Sequence, residues 1–212
     1  MAALTQSDPL LLRFPFAGDT QLRLRPRLDM ADTADFFQFC QDNSELRIER
    51  SATGELTIEM PTKYLTSKRN ALLTTYLGMW NLQNGLGEIS ESSGGFVLPN
   101  GAVRSPDAAW ISHERLATLT PEQRDGFLPL APDFIIELRS ETDRLPALQA
   151  KMAEWRESGV RLGLLLDPTT RTVHLYRPDA EPLVLTDPET IDCAPELPGF
   201  TLNTRLIFDV TL

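Results

Sequence analysis

PDFIIELRS, residues 132–140, decides how this chain is read. It has the apolar run of a buried strand, yet it carries a carboxylate, Glu137, in the middle of that run. Downstream, RLPALQAKMAEWRESG (144–159) has the pattern of an amphipathic helix with a glycine stop, and VRLGLLLDP (160–168) is a second, nearly continuous apolar strand. The two-faced apolar character of IIEL and LGLLLD predicts a sheet covered on both faces. A strand, a helix of about four turns and a second buried strand predict a right-handed parallel crossover.

Working backwards, SKRNALLTTYLGMWNLQNG sets Leu72, Leu73, Tyr76, Leu77 and Trp80 on one helical stripe, with Asn84-Gly85 as its stop. GEIS, GFVL, a PNG turn and AVRSPDAAWIS follow as short strands with turn chemistry between them. TPEQ (120–123) fits a capping box. From the long helix onward the order is helix, three strands, helix, strand. The expected class is α/β: a mixed sheet with an antiparallel meander and one parallel crossover, flanked by helices.

Outside that core, DTADFFQFCQDN (32–43) predicts a helix capped by Asp32 or Thr33, and LRIER with ELTIEM predicts a β-hairpin. Residues 1–30 read as an irregular, proline-punctuated arm. Residues 178–199 read as an irregular surface loop, and LPGFTLNTRLIF as a docking tail. The expected organisation is an arm over 1–30, one domain over 31–178, and a loop and tail of that domain over 179–212.

A chain of 212 residues can bury one sizeable core. Its formal net charge of −10 argues against sequence-independent coating of nucleic acid, which needs a basic surface, but leaves room for a metal-bridged phosphate site. The N-terminal LLL run is interrupted by Arg13 and two prolines, so neither a signal peptide nor a membrane span is expected, and the expected location is cytoplasmic. Cys40 and Cys193 lie far apart and read as buried thiols rather than a bridge. Two cysteines without metal spacing argue against a zinc site, and no GxSxG, P-loop or strand-borne GxGxxG appears. His113, opening a helix, and His174, on an outer strand, read as structural or solvated; Asp167 reads as a turn-initiating residue.

An ionised carboxylate in an apolar environment is costly unless it is paired or bound to a metal. Glu137 has three possible answers. Arg139 shares its strand face and could pair with it. The strand could end nearby and leave it in water. Or it could share a divalent cation with Asp107, which follows Pro106 at the start of an adjacent strand. Hard cations such as Mg²⁺ commonly use only one or two carboxylates. Lys151 falls beside the Leu145, Leu148, Met152 and Trp155 stripe of its helix, roughly 80° from the centre, and could lean over the sheet toward Glu137 or snorkel into water.

PNGAVRSPDAAWIS, TPEQRDGF, PDFIIELRSETD, LQAKMAEW and GVRLGLLLDP together resemble the Uma-type endonuclease family of the restriction-endonuclease-like PD-(D/E)XK superfamily. The resemblance runs from about residue 30 to residue 178. It implies an αβββαβ nuclease core, the order already read from the elements. It maps the superfamily's PD onto Pro106-Asp107 and its acid onto Glu137. Position 139 should be lysine and is Arg139, which can clamp a phosphate but is a poor proton shuttle. The resemblance maps the family's lysine onto the next helix as Lys151, in a K-x-x-x-Y pattern with Trp155 in place of tyrosine. Glu49, in the early hairpin, either matches a further family acid or is an exposed glutamate.

The resemblance implies hydrolysis of phosphodiester bonds in nucleic acid, with DNA the expected substrate. Asp107, Glu137 and a backbone carbonyl beside Glu137, that of Leu138, would hold Mg²⁺ or Mn²⁺. Lys151 would orient water or stabilise charge, and Arg139 would pair with Glu137 or contact phosphate. Lys68 and Arg69 could touch the DNA backbone or simply be solvated. A homodimer is implied as well. Two other readings stand beside this one: a catalytically inactive binding or regulatory module on a nuclease scaffold, and a nuclease that works only with a basic partner.

Overall fold

Asp32 starts the first helix because its carboxylate accepts hydrogen bonds from the N–H groups of Ala34 (2.9 Å) and Asp35 (3.0 Å), donors that a helix leaves unpaired at its start. The computed structural model describes residues 10–13, 21–24, 29–59 and 61–210. The chain divides into two units, residues 1–60 and 61–212. In the first, β1 (Leu10–Arg13) and β2 (Gln21–Leu24) pair antiparallel. Helix α1 (Thr33–Asp42) buries Phe36 and Phe39. Strands β3 (Arg47–Arg50) and β4 (Leu56–Glu59) form the expected hairpin, with Ile48 opposite Ile58. The stretch read as an irregular arm therefore holds a two-stranded ladder; residues 1–9, 14–20 and 25–28 of it lie outside the described residues.

The second unit opens with α2 (Tyr64–Asn84), stopped by Gly85 in the left-handed region at φ 61°. Next come β5 (Gly87–Glu91), a small hairpin of β6 (Phe96–Val97) and β7 (Val103–Arg104), and β8 (Ala108–Ser112). Short helices α3 (His113–Leu116) and α4 (Pro121–Arg124) lead to β9 (Phe134–Leu138); the Thr120 capping box starts α4 as expected. Helix α5 (Leu145–Glu157) then crosses to β10 (Leu162–Asp167). Strands β11 (Thr172–Tyr176), β12 (Leu183–Thr186), β13 (Thr190–Asp192) and β14 (Thr201–Asn203) and helix α6 (Arg205–Phe208) complete the unit.

Six strands form the main sheet in the order β12-β11-β10-β9-β8-β5. Only β9 and β10 run parallel, with Glu137 beside Leu165, and α5 is their crossover. This is the predicted mixed α/β sheet. Two details differ from the sequence reading. AVRSPDAAWIS breaks at Ser105–Asp107, and its halves pair in different ladders, because Pro106 has no N–H to offer a continuous one. Residues 178–199 are not a plain loop: β12 extends the main sheet, and β13 pairs with β14.

Alternation along β9 sorts its side chains between two layers. Phe134, Ile136 and Leu138 pack with Leu73, Leu77 and Trp80 of α2, while Ile135 packs with Met152 and Trp155 of α5. By the period of two, Glu137 shares the α5 face with Ile135. Burying each apolar neighbour contributes roughly 1.5–3 kcal/mol. The strand is therefore held inside, and its carboxylate must be compensated there. At Gly87 a Cβ would stand 2.1 Å from the carbonyl oxygen of Ile111, so glycine alone lets β5 close on β8.

The C-terminal segment packs on α2 and β9. Trp80 donates its indole N–H to the Pro198 carbonyl (3.0 Å), Phe200 packs on Trp80 and Phe134, and Arg69 Nε donates to the Ile207 carbonyl (2.9 Å). Cys40 and Cys193 form no disulfide, and burial pushes both thiols up to about 12. No helix among the described residues is long and apolar enough to cross a membrane.

Candidate active site

Helix α5 answers the question that Glu137 raises. Met152 and Trp155 anchor its buried stripe, and Leu145 and Leu148 pack at the edge. Lys151 stands next to that stripe and reaches down to the sheet. Its Nζ is 2.8 Å from Glu137 Oε1 and 3.4 Å from the Ser105 carbonyl oxygen. Trp155, one turn further and on the same helical face, donates its indole N–H to the same Oε1 at 3.0 Å. The Glu137 side chain is 4% exposed and that of Lys151 13%, so this is a buried ion pair. Its two charge-assisted hydrogen bonds offset a desolvation cost of roughly several kcal/mol per ion.

Asp107 reaches the same end of the sheet from the other side. The β8–β9 ladder stops with Ala108 opposite Ile136. One step beyond it, Leu138 N–H donates to Asp107 Oδ2 at 2.7 Å. The other oxygen, Oδ1, accepts from Asn70 Nδ2 of α2 at 3.0 Å. Asp107 and Lys151 thus come to the place where β8 begins and β9 ends: Asp107 binds the residue after Glu137, and Lys151 touches both Glu137 and the backbone two residues before Asp107. A groove of about 590 Å³ along α2 and β5 opens beside Asp107 and Asn70 and runs past Thr74 and Gly78 to Ile89.

Arg139 does not make the ion pair with Glu137 that strand periodicity offered. Its backbone N–H bonds to the Leu166 carbonyl (2.8 Å), which holds it alongside β10, and its guanidinium donates to Asp167 Oδ2 at 2.6 Å. Asp167 is wholly buried and has the greater need of a cation, while Glu137 is met by Lys151 from above. Burial pushes the Asp167 carboxyl upward, but hydrogen bonds from Arg139, Thr170 and Thr169 outweigh it and hold the group below the usual carboxylate range. Its Oδ1 also accepts from Thr169 N–H (2.9 Å), the turn-initiating role expected of it.

His113 opens α3, as read from the sequence. His174 lies buried on β11, and burial lowers its pKa against the pull of Asp167. Lys68 is exposed on α2, whereas Arg69 is occupied in tethering the tail. Glu49, on β3 of the first unit, is 3% exposed, so the exposed-glutamate reading fails. Ile48, Glu49 and Arg50 are all buried, so β3 is covered on both faces, which a short strand of mixed polarity did not reveal.

Asn70 was not visible as a site residue, because a helical asparagine carries no local signal of what it faces. Besides holding Asp107, it has a buried Oδ1 with no hydrogen-bond partner. Among the described residues no three His, Cys, Asp or Glu side chains gather as a metal cluster. The Asp107 carboxylate and the orphaned amide oxygen of Asn70 are hard oxygens on paired side chains, and Glu137 is the neighbour of the Leu138 whose N–H Asp107 accepts. This set fits a small hard cation, which takes few protein ligands and completes its shell with water and phosphate.

A family model, Uma2, described as "Putative restriction endonuclease", matches residues 33–205. Among solved structures, the chain is similar to "a putative nuclease belonging to DUF820" from Anabaena variabilis ATCC 29413. The TM-score is 0.66 and the identity 17%, over 76% of this chain and 89% of that one. At that identity the likeness bears on the fold, and it agrees with the restriction-endonuclease-like core that the family resemblance implied. No curated protein matches.

Proposed function

Because the chain belongs to the Uma2 family of restriction-endonuclease-type proteins, we propose that it is a metal-dependent endonuclease that hydrolyses phosphodiester bonds of DNA. The observation that carries this reading is the contact of Lys151 with Glu137 beside an Asp107 tied to Leu138 N–H. Asp107, Glu137 and the carbonyl of Leu138 would hold the ion. Mg²⁺ or Mn²⁺, when bound there, supplies a Lewis acid for the phosphate and a water of lowered pKa.

The remaining work falls to side chains of the chain itself. Trp155 and Lys151 fix the Glu137 carboxylate in one orientation before substrate arrives. Lys151 faces the growing negative charge of the phosphate and stabilises it from a largely dry position, where such charge stabilisation is strongest. Arg139, held by Asp167, remains partly exposed at the end of β9 and contacts a phosphate oxygen. Exposed Met79, Leu82, Leu86 and Ile89, beside the edge strand β5, support association into a homodimer, which light scattering would measure.

A second reading rests on Arg139, which stands where the superfamily pattern has lysine, and on the net charge of −10. In that reading the chain binds ligand or partner without cleaving. Plasmid nicking in Mg²⁺ and in Mn²⁺ separates the two. Wild type should nick, and Asp107→Ala and Glu137→Ala should each abolish nicking while remaining folded. Metal binding without nicking by wild type would favour the second reading, and full nicking by both variants would remove the site assignment.

A further inference from the structure

Asparagine is a mediocre helix former, and inside a helix its side chain usually turns to water or back onto the helix's own carbonyls. Two polar residues of α2 behave that way: Thr75 Oγ1 donates to the Ala71 carbonyl (2.7 Å), and Asn84 Nδ2 donates to the Trp80 carbonyl (2.8 Å). Asn70 does neither. It leaves its helix and donates to Asp107 Oδ1 across the groove wall. Its own Oδ1 is shielded from solvent and accepts nothing. A buried amide oxygen without a donor is destabilising, so a helix position satisfied by any solvated residue is an odd place for it.

We propose that Asn70 is a positioning residue of this site: its amide NH₂ orients Asp107 toward the ion, and its orphaned carbonyl oxygen meets that ion or a water bound to it. The inference rests on the endonuclease reading above and adds a fourth element, α2, to a site otherwise built from β8, β9 and α5. The geometry divides the labour on Asp107. Leu138 N–H holds Oδ2 from the strand side and Asn70 holds Oδ1 from the helix side, so the carboxylate cannot rotate. Partners that orient a metal ligand in this way typically matter about 10–100-fold for affinity or activity. The spare oxygen is of a kind suited to that role, because a hard cation or its water shell accepts neutral amide oxygens alongside carboxylates.

The test uses the full chain and Mn²⁺ alone, read by titration calorimetry and by the Mn²⁺-induced rise in melting temperature, with nicking measured in parallel. Asn70→Ala should weaken Mn²⁺ binding about 10-fold. Asn70→Asp is nearly isosteric but replaces the donor by a second carboxylate about 3.0 Å from Asp107. Repulsion between the two acids should lower its metal-free melting temperature, and a cation should relieve it. The Mn²⁺-induced rise should therefore exceed that of wild type, while nicking falls for want of a correctly oriented Asp107. Opposite shifts in the two variants cannot come from a residue that merely packs. Equal Mn²⁺ response in wild type and both variants, with Asp107→Ala abolishing binding, would overturn the role of Asn70 and leave the metal site standing. Mn²⁺ binding that ignores Asp107→Ala would remove the metal site, and this inference with it. Should Asn70→Ala fail to fold, Asn70→Ser carries the same comparison.

Discussion

Lys151 of α5 and Glu137 of β9 meet at 2.8 Å across a helix-to-sheet interface, with both side chains largely withdrawn from water. The pair compensates the one charge that the central strand carries inward. It also sets an ammonium group beside the start of β8, two residues from Asp107.

Lys151→Met keeps much of the stem's packing and removes the charge. Glu137 then loses its closest cation inside the protein, and breaking such a pair should cost about 3–5 kcal/mol in urea unfolding at neutral pH. Nicking should fall about 100-fold, with a much smaller change in Mn²⁺ affinity. An unchanged rate would reduce Lys151 to a structural counter-ion.

Trp155 offers a control on the same oxygen. Both Trp155→Phe and Trp155→Tyr lose indole volume, but the phenol can still donate toward Glu137. The tyrosine variant should be the more stable of the two by about 0.5–1.5 kcal/mol, the net worth of a hydrogen bond. Equal stability in denaturant would mean that the N–H contact at 3.0 Å contributes packing only.

Asp167 and Arg139 predict an acid-sensitive term. The folded carboxyl titrates below its ordinary value, so the stability it contributes is fully present above the ordinary aspartate pKa of about 3.9 and is lost as pH falls through the lower folded value. Stability measured from pH 5 down to pH 2.5 should decline for wild type. Asp167→Asn should start lower and decline less over the same window. Parallel slopes for the two proteins would show that the pair contributes nothing to acid sensitivity.

Phe200→Ala tests whether the tail belongs to the core. Its ring packs on Trp80 and Phe134, so removal should cost about 3–5 kcal/mol. Phe200 has no contact with Asp107 or Glu137 in that packing. Well below the lowered melting temperature, nicking should stay near the wild-type rate, and a large loss there would mean that the tail shapes the site.

Much of the architecture was legible because it is written in short-range pattern. The stripe of Leu73, Leu77 and Trp80, the apolar runs of β9 and β10, the Thr120 box and the Gly85 stop are local features that backbone geometry converts directly into elements. The β12 and β13 strands were missed because Pro182, Pro188 and Pro195 punctuate that stretch, and strand pairing there is supplied by distant partners.

The candidate site was legible in membership more than in wiring. Asp107, Glu137 and Lys151 stood out as charges beside or within apolar segments, and the sequence left open whether the three converge. Which cation meets which acid was decided only by the tertiary structure. Strand periodicity left Arg139 as good a partner for Glu137 as Lys151, but the fully buried Asp167 on β10 takes the guanidinium, and α5 lowers Lys151 and Trp155 onto the glutamate. Asn70 entered the same way, from a helix 37 residues away in sequence. Charges of equal standing along a chain are ranked by burial and by distance, and both quantities exist only once the segments have packed.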